Sequence, residues 1–214
     1  MTVCVLSLFL IACGTEPPAI QQIYWQLNLL ADYSNNTIRE SLSVFLQIDD
    51  ADGLDDIEKI VIFIDDYELF WELSGDSLEK KEQNALSWLG ANSVTMPNLE
   101  ALPRSSYTIR VYDYAGKTDE RSITLASEKN IALDYALPKV NIDGNNIIIN
   151  SRHSNPQLWF YSGDSQFVTA VELISNYVDY KDILSGSKAA FFKVYLYDNT
   201  CGCGLIYGDF NLKN

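Results

Sequence analysis

The chain has 214 residues, with 29 acidic and 15 basic side chains and a net charge of −14. An acidic surface repels phosphate backbones and anionic headgroups, so nucleic acid is excluded as a natural partner and membrane attraction has to come from elsewhere. At 47% hydrophobic and 12% aromatic residues the chain is too apolar for disorder, and its length suits one large domain or two of about 100 residues.

The chain opens on an apolar run, Val3 to Ala12, broken only by Cys4 and Ser7. A bilayer-spanning helix takes about 20 apolar residues, so this run is too short to span but suits the core of a secretory signal. No later run reaches the roughly 18 apolar residues of a spanning helix. The segment Leu10-Ile11-Ala12-Cys13 resembles the lipobox of bacterial lipoproteins. The resemblance implies cleavage between Ala12 and Cys13, a diacylglyceryl group on the Cys13 sulfur, and a lipid-anchored place in the bacterial cell envelope. The polar, proline-bearing Gly14-Thr15-Glu16-Pro17-Pro18 then reads as a flexible tether. Residues 1–12 carry no Lys or Arg, which a signal's start normally has; a start upstream of Met1 would account for that.

After the tether the expected organisation is a signal over 1–12, a lipidated tether over 13–19, a β-sandwich over 20–127, a linker over 128–137, and a second, smaller β-sandwich-like module over 138–214. Residues 13–127 hold 20 acids and 8 bases, against 8 and 6 in residues 130–214, so the first module carries most of the repulsive charge.

Ile20 to Leu30 reads as a first strand. Residues 42–48 alternate with a two-residue period, Leu42, Val44, Leu46 and Ile48 against Ser43, Phe45 and Gln47, which predicts a half-buried strand. Ile60 to Ile64 is a continuous β-branched and aromatic run that suits a central strand. Asp65-Asp66 predicts a hairpin into the alternating Tyr67 to Leu73. Asp76 with Glu79 looks like a helix capping box, and Leu78, Ala85, Leu86 and Leu89 could line one face, so a short helix or an ordered excursion is expected within 74–98.

Leu99-Glu-Ala-Leu102-Pro103, followed by Tyr107-Thr-Ile109-Arg-Val111, resembles the E–F corner and F strand of fibronectin type III modules. The continuation Tyr112-Asp113-Tyr114-Ala115-Gly116-Lys117 into Arg121-Ser-Ile-Thr-Leu125 resembles the closing hairpin of bacterial immunoglobulin-like domains. The resemblance covers residues 99–125, and loosely 38–125. It implies an all-β fold of tandem sandwiches and says little of function.

In the second module, strands are expected at Asn146 to Asn150, Gln157 to Tyr161, Phe167 to Ile174, Ala189 to Tyr197 and Leu205 to Leu212. Phe192-Lys-Val194-Tyr-Leu196-Tyr-Asp198 repeats the grammar of Tyr107-Thr-Ile109-Arg-Val111-Tyr-Asp113 at an offset of 85 residues, which argues for tandem units. Strand grammar shared within one larger β domain is the alternative.

Three features bear on chemistry. Asp49, Asp50, Asp52, Asp55, Asp56 and Glu58 form the densest carboxylate cluster, and Asp50, Asp52, Asp55 and Asp56 in it are a weak candidate for Ca²⁺, which takes six to eight oxygens. Setting Gly53 at the EF-hand glycine puts Ile48 and Lys59 at the loop ends, where acids are required, so that motif fails. A solvated acidic turn is the plain reading. Cys201-Gly202-Cys203 reads as a labile disulfide, with two free thiols on a turn as the alternative. His153 lacks a triad-like pattern around it, and no nucleophile elbow occurs. No cofactor is expected beyond the lipid on Cys13. The aromatic content, with Trp71, Trp88, Trp159 and 13 tyrosines, suits core filling first and protein or sugar recognition second.

The sequence therefore predicts a non-enzymatic envelope lipoprotein that binds a protein or a glycan. The alternatives are an extracytoplasmic glycan-active enzyme, or an accessory domain of one, and a structural component that self-associates through a sheet edge. A cleft with two converging carboxylates would mark the enzyme.

Overall fold

The computed structural model describes residues 16–32, 37–83, 85–98, 101–126, 137–152 and 155–212. The expected all-β class holds: fifteen strands, four of the short helical turns and no long helix make up the described residues. In chain order these are β1 (Ala19–Asp32), β2 (Thr37–Asp49), β3 (Ile57–Ile64), β4 (Leu69–Ser74), β5 (Glu79–Gln83), β6 (Leu86–Val94), β7 (Ser106–Asp113) and β8 (Thr118–Thr124). Then follow β9 (Lys139–Asp143), β10 (Asn146–Asn150), β11 (Gln157–Tyr161), β12 (Phe167–Glu172), β13 (Tyr177–Asp179), α1 (Tyr180–Ile183), β14 (Phe191–Asp198) and β15 (Cys203–Asn211).

The chain forms two compact units, each of non-contiguous segments. The first takes the chain up to Tyr24, with Phe45–Ala91 and Tyr107–Ile123; the second takes Trp25–Val44, Asn92–Ser106 and the chain from Thr124 on. The long strands β1, β2 and β6 are each divided between the two. The expected linker lies almost wholly outside the described residues.

The first unit is a β-sandwich. One sheet is antiparallel with order β4-β3-β7-β8, and the other layer follows the order β1-β2-β6-β5. The run at 60–64 is central in that β3 pairs with both β4 and β7. It does not bury both faces: Ile60, Ile62 and Ile64 enter the core with Ile109, Val111 and Leu73, while Val61 and Phe63 stay half-exposed. Each such fully buried side chain contributes about 1.5–3 kcal/mol of transfer free energy.

Two expectations are corrected here. The helix expected within 74–98 is instead the hairpin β5–β6, paired from Glu79↔Gly90 to Gln83↔Leu86. The capping box at its start belongs to Ser74 and Ser77, around a single 3-10 turn at Gly75–Ser77, and not to Asp76 and Glu79. The apolar spacing was helix-compatible, but the β5 residues Glu79 to Gln83 form a charged edge strand, which has no need of an apolar face. The strand at 42–48 is buried on both faces, with Ser41, Ser43 and Phe45 as hidden as Leu42 and Val44. Its position between β1 and β6 explains this: a central strand can hide polar side chains when they are hydrogen-bonded.

In the second unit the strand order is β12-β11-β14-β15-β1-β2-β6, with a small sheet β13-β10-β9. β15 runs antiparallel to β14 and parallel to β1, so the last strand lies beside the first. Gly204 permits that approach, because a Cβ there would sit 2.3 Å from Asn28 Oδ1 and 2.4 Å from Gln26 Nε2. A polar chain starts at that point. Gln26 Nε2 donates to Tyr195 Oη at 2.9 Å and to Asn28 Oδ1 at 2.8 Å. Asn28 Nδ2 donates to Ser43 Oγ, and Ser43 Oγ to Asn92 Oδ1, both at 2.9 Å. Farther along β2, Glu40 accepts both terminal nitrogens of Arg104 at 2.6 and 2.7 Å and the Leu102 N–H at 2.9 Å. This buried, bidentate pair clamps the 101–105 segment to β2.

Candidate functional site

The lipidation candidate Cys13 lies outside the described residues, as does His153. The first described strand begins at Ala19, with five residues between it and Cys13, a span of roughly 20 Å when fully extended.

The acidic segment folds as a turn and a 3-10 turn between β2 and β3. Asp50 shapes it: Oδ1 accepts the Asp52 N–H at 2.8 Å, and the carbonyl accepts the Gly53 N–H at 3.1 Å. Carboxylate oxygens of Asp50, Asp52 and Asp56 converge to within 4.8 Å of one another; Asp55 is not in that group. The Tyr114 N–H donates to the Asp56 carbonyl at 3.0 Å, which ties the loop to the β7–β8 hairpin. That hairpin turns on Asp113, whose Oδ1 accepts the Lys117 N–H at 2.7 Å. Partial desolvation, then repulsion from Asp113, Asp50 and Asp52, hold the Asp56 carboxyl above its ordinary value, with Lys117 pulling the other way. Asp50 Oδ2 is buried with no hydrogen-bond donor among the described residues. The three carboxylates supply three of the six to eight oxygens that Ca²⁺ takes.

Cys201 and Cys203 are joined as a disulfide, with Cα atoms 5.3 Å apart. It closes the turn from β14 into β15, where the Thr200 N–H also caps onto Asp198 Oδ1 at 2.7 Å. Cys203 is buried.

The most organised surface was legible only in part from the sequence. β11 pairs with β14 in the register Gln157↔Tyr195, Trp159↔Lys193 and Tyr161↔Phe191. One side of these strands is core, with Leu158, Phe160, Phe192, Val194 and Leu196 buried. The other side is half-exposed and carries rings on rings. Trp159 stacks on Tyr195 with centroids 4.7 Å apart and planes at 11°. Tyr161 stacks on Phe191 at 5.2 Å and 9°, and Phe167 of β12 meets Tyr161 edge-on at 5.9 Å. Polar groups border the rings. Trp159 Nε1 donates to Gln157 Oε1 at 3.0 Å. Lys193 Nζ lies between the two stacks, 5.7 Å from the Tyr161 centroid and 3.1 Å from Asp209. A bulge in β15 puts Asp209 there, between the pairs Phe192↔Phe210 and Val194↔Tyr207. Gly208 supplies the bulge's positive φ of 81°, and a Cβ on it would strike the Phe210 ring. Burial, and then the Asp209 charge, raise the Tyr161 phenol above its ordinary value, so it remains a proton donor at neutral pH.

Sequence reading singled out Trp159 but not its partners. The stack needs the β11–β14 register, which links residues 36 apart in the chain, and alternation along either strand alone does not give it.

The fold and this surface define an all-β sandwich protein with a ring-lined sheet face. No protein-family model matches the sequence, and no curated protein matches it. Among solved structures, the chain is similar to dimeric latent PorU from Porphyromonas gingivalis at 12% identity and a TM-score of 0.35, over 92% of this chain. It spans 20% of that PorU chain. It is also similar to murine CEACAM1b at 12% identity and a TM-score of 0.27, over 89% of this chain and 99% of that one. At scores this low neither likeness bears on function.

Proposed function

We propose that the protein is a lipid-anchored bacterial envelope protein whose β-sandwich part acts as a non-enzymatic binding module of immunoglobulin or fibronectin type III kind. The single observation that carries the anchor is Leu10-Ile11-Ala12-Cys13, set at the end of an apolar run and followed at once by a polar tether. The burial of Tyr107 at the start of β7 is in keeping with the corner resemblance, which needs an enclosed tyrosine there. One acyl chain holds a protein on a membrane only marginally, and two or three hold it durably. A tether of roughly 20 Å would hold the start of β1 close to the bilayer, and the acidic chain itself adds no attraction to anionic lipid.

Metabolic labelling with a radioactive fatty acid tests the anchor. The wild type takes the label and fractionates with membranes, and Cys13→Ser does neither. Equal labelling of both would overturn the reading.

A further inference from the structure

We infer that the half-exposed face of β11, β12 and β14 binds a neutral oligosaccharide. This rests on the reading of the protein as a binding module and names the class of its ligand.

Cross-strand ring pairs can serve a sheet by stiffening it alone. Three observations carry this face further. First, its rings complete no core: the core of these strands is on the opposite side, closed by Phe160, Phe192 and Leu196. Second, the face carries a small acidic excess. Lys193 is paired with Asp209, Glu172 stands opposite Gln157 on β12, and Asp164 lies in the turn from β11 into β12. That excess works against an anionic ligand and leaves an uncharged one unaffected. Third, the polar groups are of the kind that reads hydroxyls. Gln157 uses its carbonyl oxygen on Trp159, which orients its amide nitrogen as a donor beside the ring. Tyr161 adds a phenol, Tyr195 keeps its phenolic proton to donate while its oxygen accepts from Gln26, and Lys193 and Asp209 add a donor and an acceptor.

A pyranose ring presents a face of C–H groups and a rim of hydroxyls. Aromatic rings carry negative faces that attract such C–H groups, and the amides and phenols between them meet the rim. The alternating ring and polar group across three strands matches that alternation along an oligosaccharide. A protein hot spot is built differently, on a ring sunk in a desolvated pocket with a water-excluding rim. Here the rings lie in open rows, each already against another ring.

The test presents the full chain, purified in neutral detergent, to an immobilised panel of neutral hexasaccharides of glucose, N-acetylglucosamine, mannose and galactose. At least one is expected to bind, with competition by the same sugar in solution. Trp159→Ala is expected to weaken that binding at least tenfold. Gln157→Ala, which removes no ring, is expected to weaken it several-fold and guards against a folding defect in the first variant. Phe70→Ala, an exposed ring on the sheet of β3, β4, β7 and β8, is expected to leave it unchanged. Binding to none of the panel overturns the inference, and so does binding that both Trp159→Ala and Gln157→Ala leave intact. Capture of a protein partner through this face, with no sugar bound, overturns it too. The Cys13→Ser chain is expected to bind sugar like the wild type, so failure of the anchor and failure of the glycan site are separately visible.

Discussion

Two sheet faces carry rings on their half-exposed side, and they are finished in opposite ways. On β3, β4, β7 and β8 two rings, Phe63 and Tyr112, lie under cations, while Phe70 opposite Phe63 is exposed. Arg110 lies over Phe63 at 5.1 Å and Lys59 over Tyr112 at 5.5 Å. The same cations pair with Glu120 at 2.7 Å and Glu72 at 3.3 Å. On β11, β12 and β14 the rings cap each other, and one ion pair serves the whole face. On the first face cations held in ion pairs cover two of the rings; on the second a single cation, Lys193, lies near Tyr161. The second leaves its outer ring edges and amides available. The difference separates a surface built for solubility from one suited to recognition.

The comparison can be broken from beneath. Phe192 is fully buried under the ring face, 5.2 Å from Phe210 and 5.9 Å from Phe160 by ring centroids. Phe192→Ala should cost about 3–5 kcal/mol, read as a shift of the denaturant midpoint, because a large cavity is left in an aromatic cluster. Loss of under 1 kcal/mol would mean that this sheet collapses easily and does not hold the rings in place.

A smaller effect sharpens the contrast between the two faces. A double-mutant cycle on Trp159 and Tyr195 should give a coupling of about 0.5–1.5 kcal/mol that salt leaves alone. The cycle on Arg110 and Glu120, a half-exposed and an exposed side chain, should give about 0.2–1 kcal/mol at low salt and close to none at about 1 M. Equal salt dependence of the two would erase the distinction.

Much of this fold was legible because a strand's period is two. The alternation at 107–111 and 192–196 marks β7 and β14, and Asp113 with Gly116 marks the hairpin that joins β7 to β8. What was not legible depends on neighbours. Ser43 read as part of the exposed face, yet its hydroxyl is hidden and donates to Asn92 Oδ1, about 50 residues on, and Ser41 is hidden and donates to the Asn92 carbonyl. Glu79 to Gln83 read as helix because nothing local distinguishes an edge strand, which is charged on both faces, from a solvated helix. The division of β1, β2 and β6 between two compact units has no local sign at all. The acidic loop was legible as a turn, through Asp52-Gly53. That Asp56 and not Asp55 joins Asp50 and Asp52 follows from the 3-10 turn at Leu54–Asp56.

The smallest expected effect concerns that loop. A carboxyl whose folded pKa is raised binds its proton more tightly folded than unfolded. Its stabilising contribution is present below the unfolded value and is lost as pH rises through the folded one. Ionised Asp56 therefore works slightly against the fold at neutral pH, owing to desolvation and to Asp113, Asp50 and Asp52. Asp56→Asn should raise the melting temperature slightly at pH 7 and flatten its dependence on pH in the acidic range. A lower melting temperature at pH 7 would show that the charge is used in the fold.

The most direct test of the ring face uses the indole N–H resonance of Trp159, with that of Trp71, on the core side of β4 in the other unit, as the internal reference. The neutral hexasaccharides are titrated into the full chain in detergent and the two signals are followed by NMR. The account predicts that one of these sugars shifts the Trp159 signal saturably while Trp71 stays in place. A Trp159 signal unmoved by every sugar, or a shift of Trp71 alone, would contradict it.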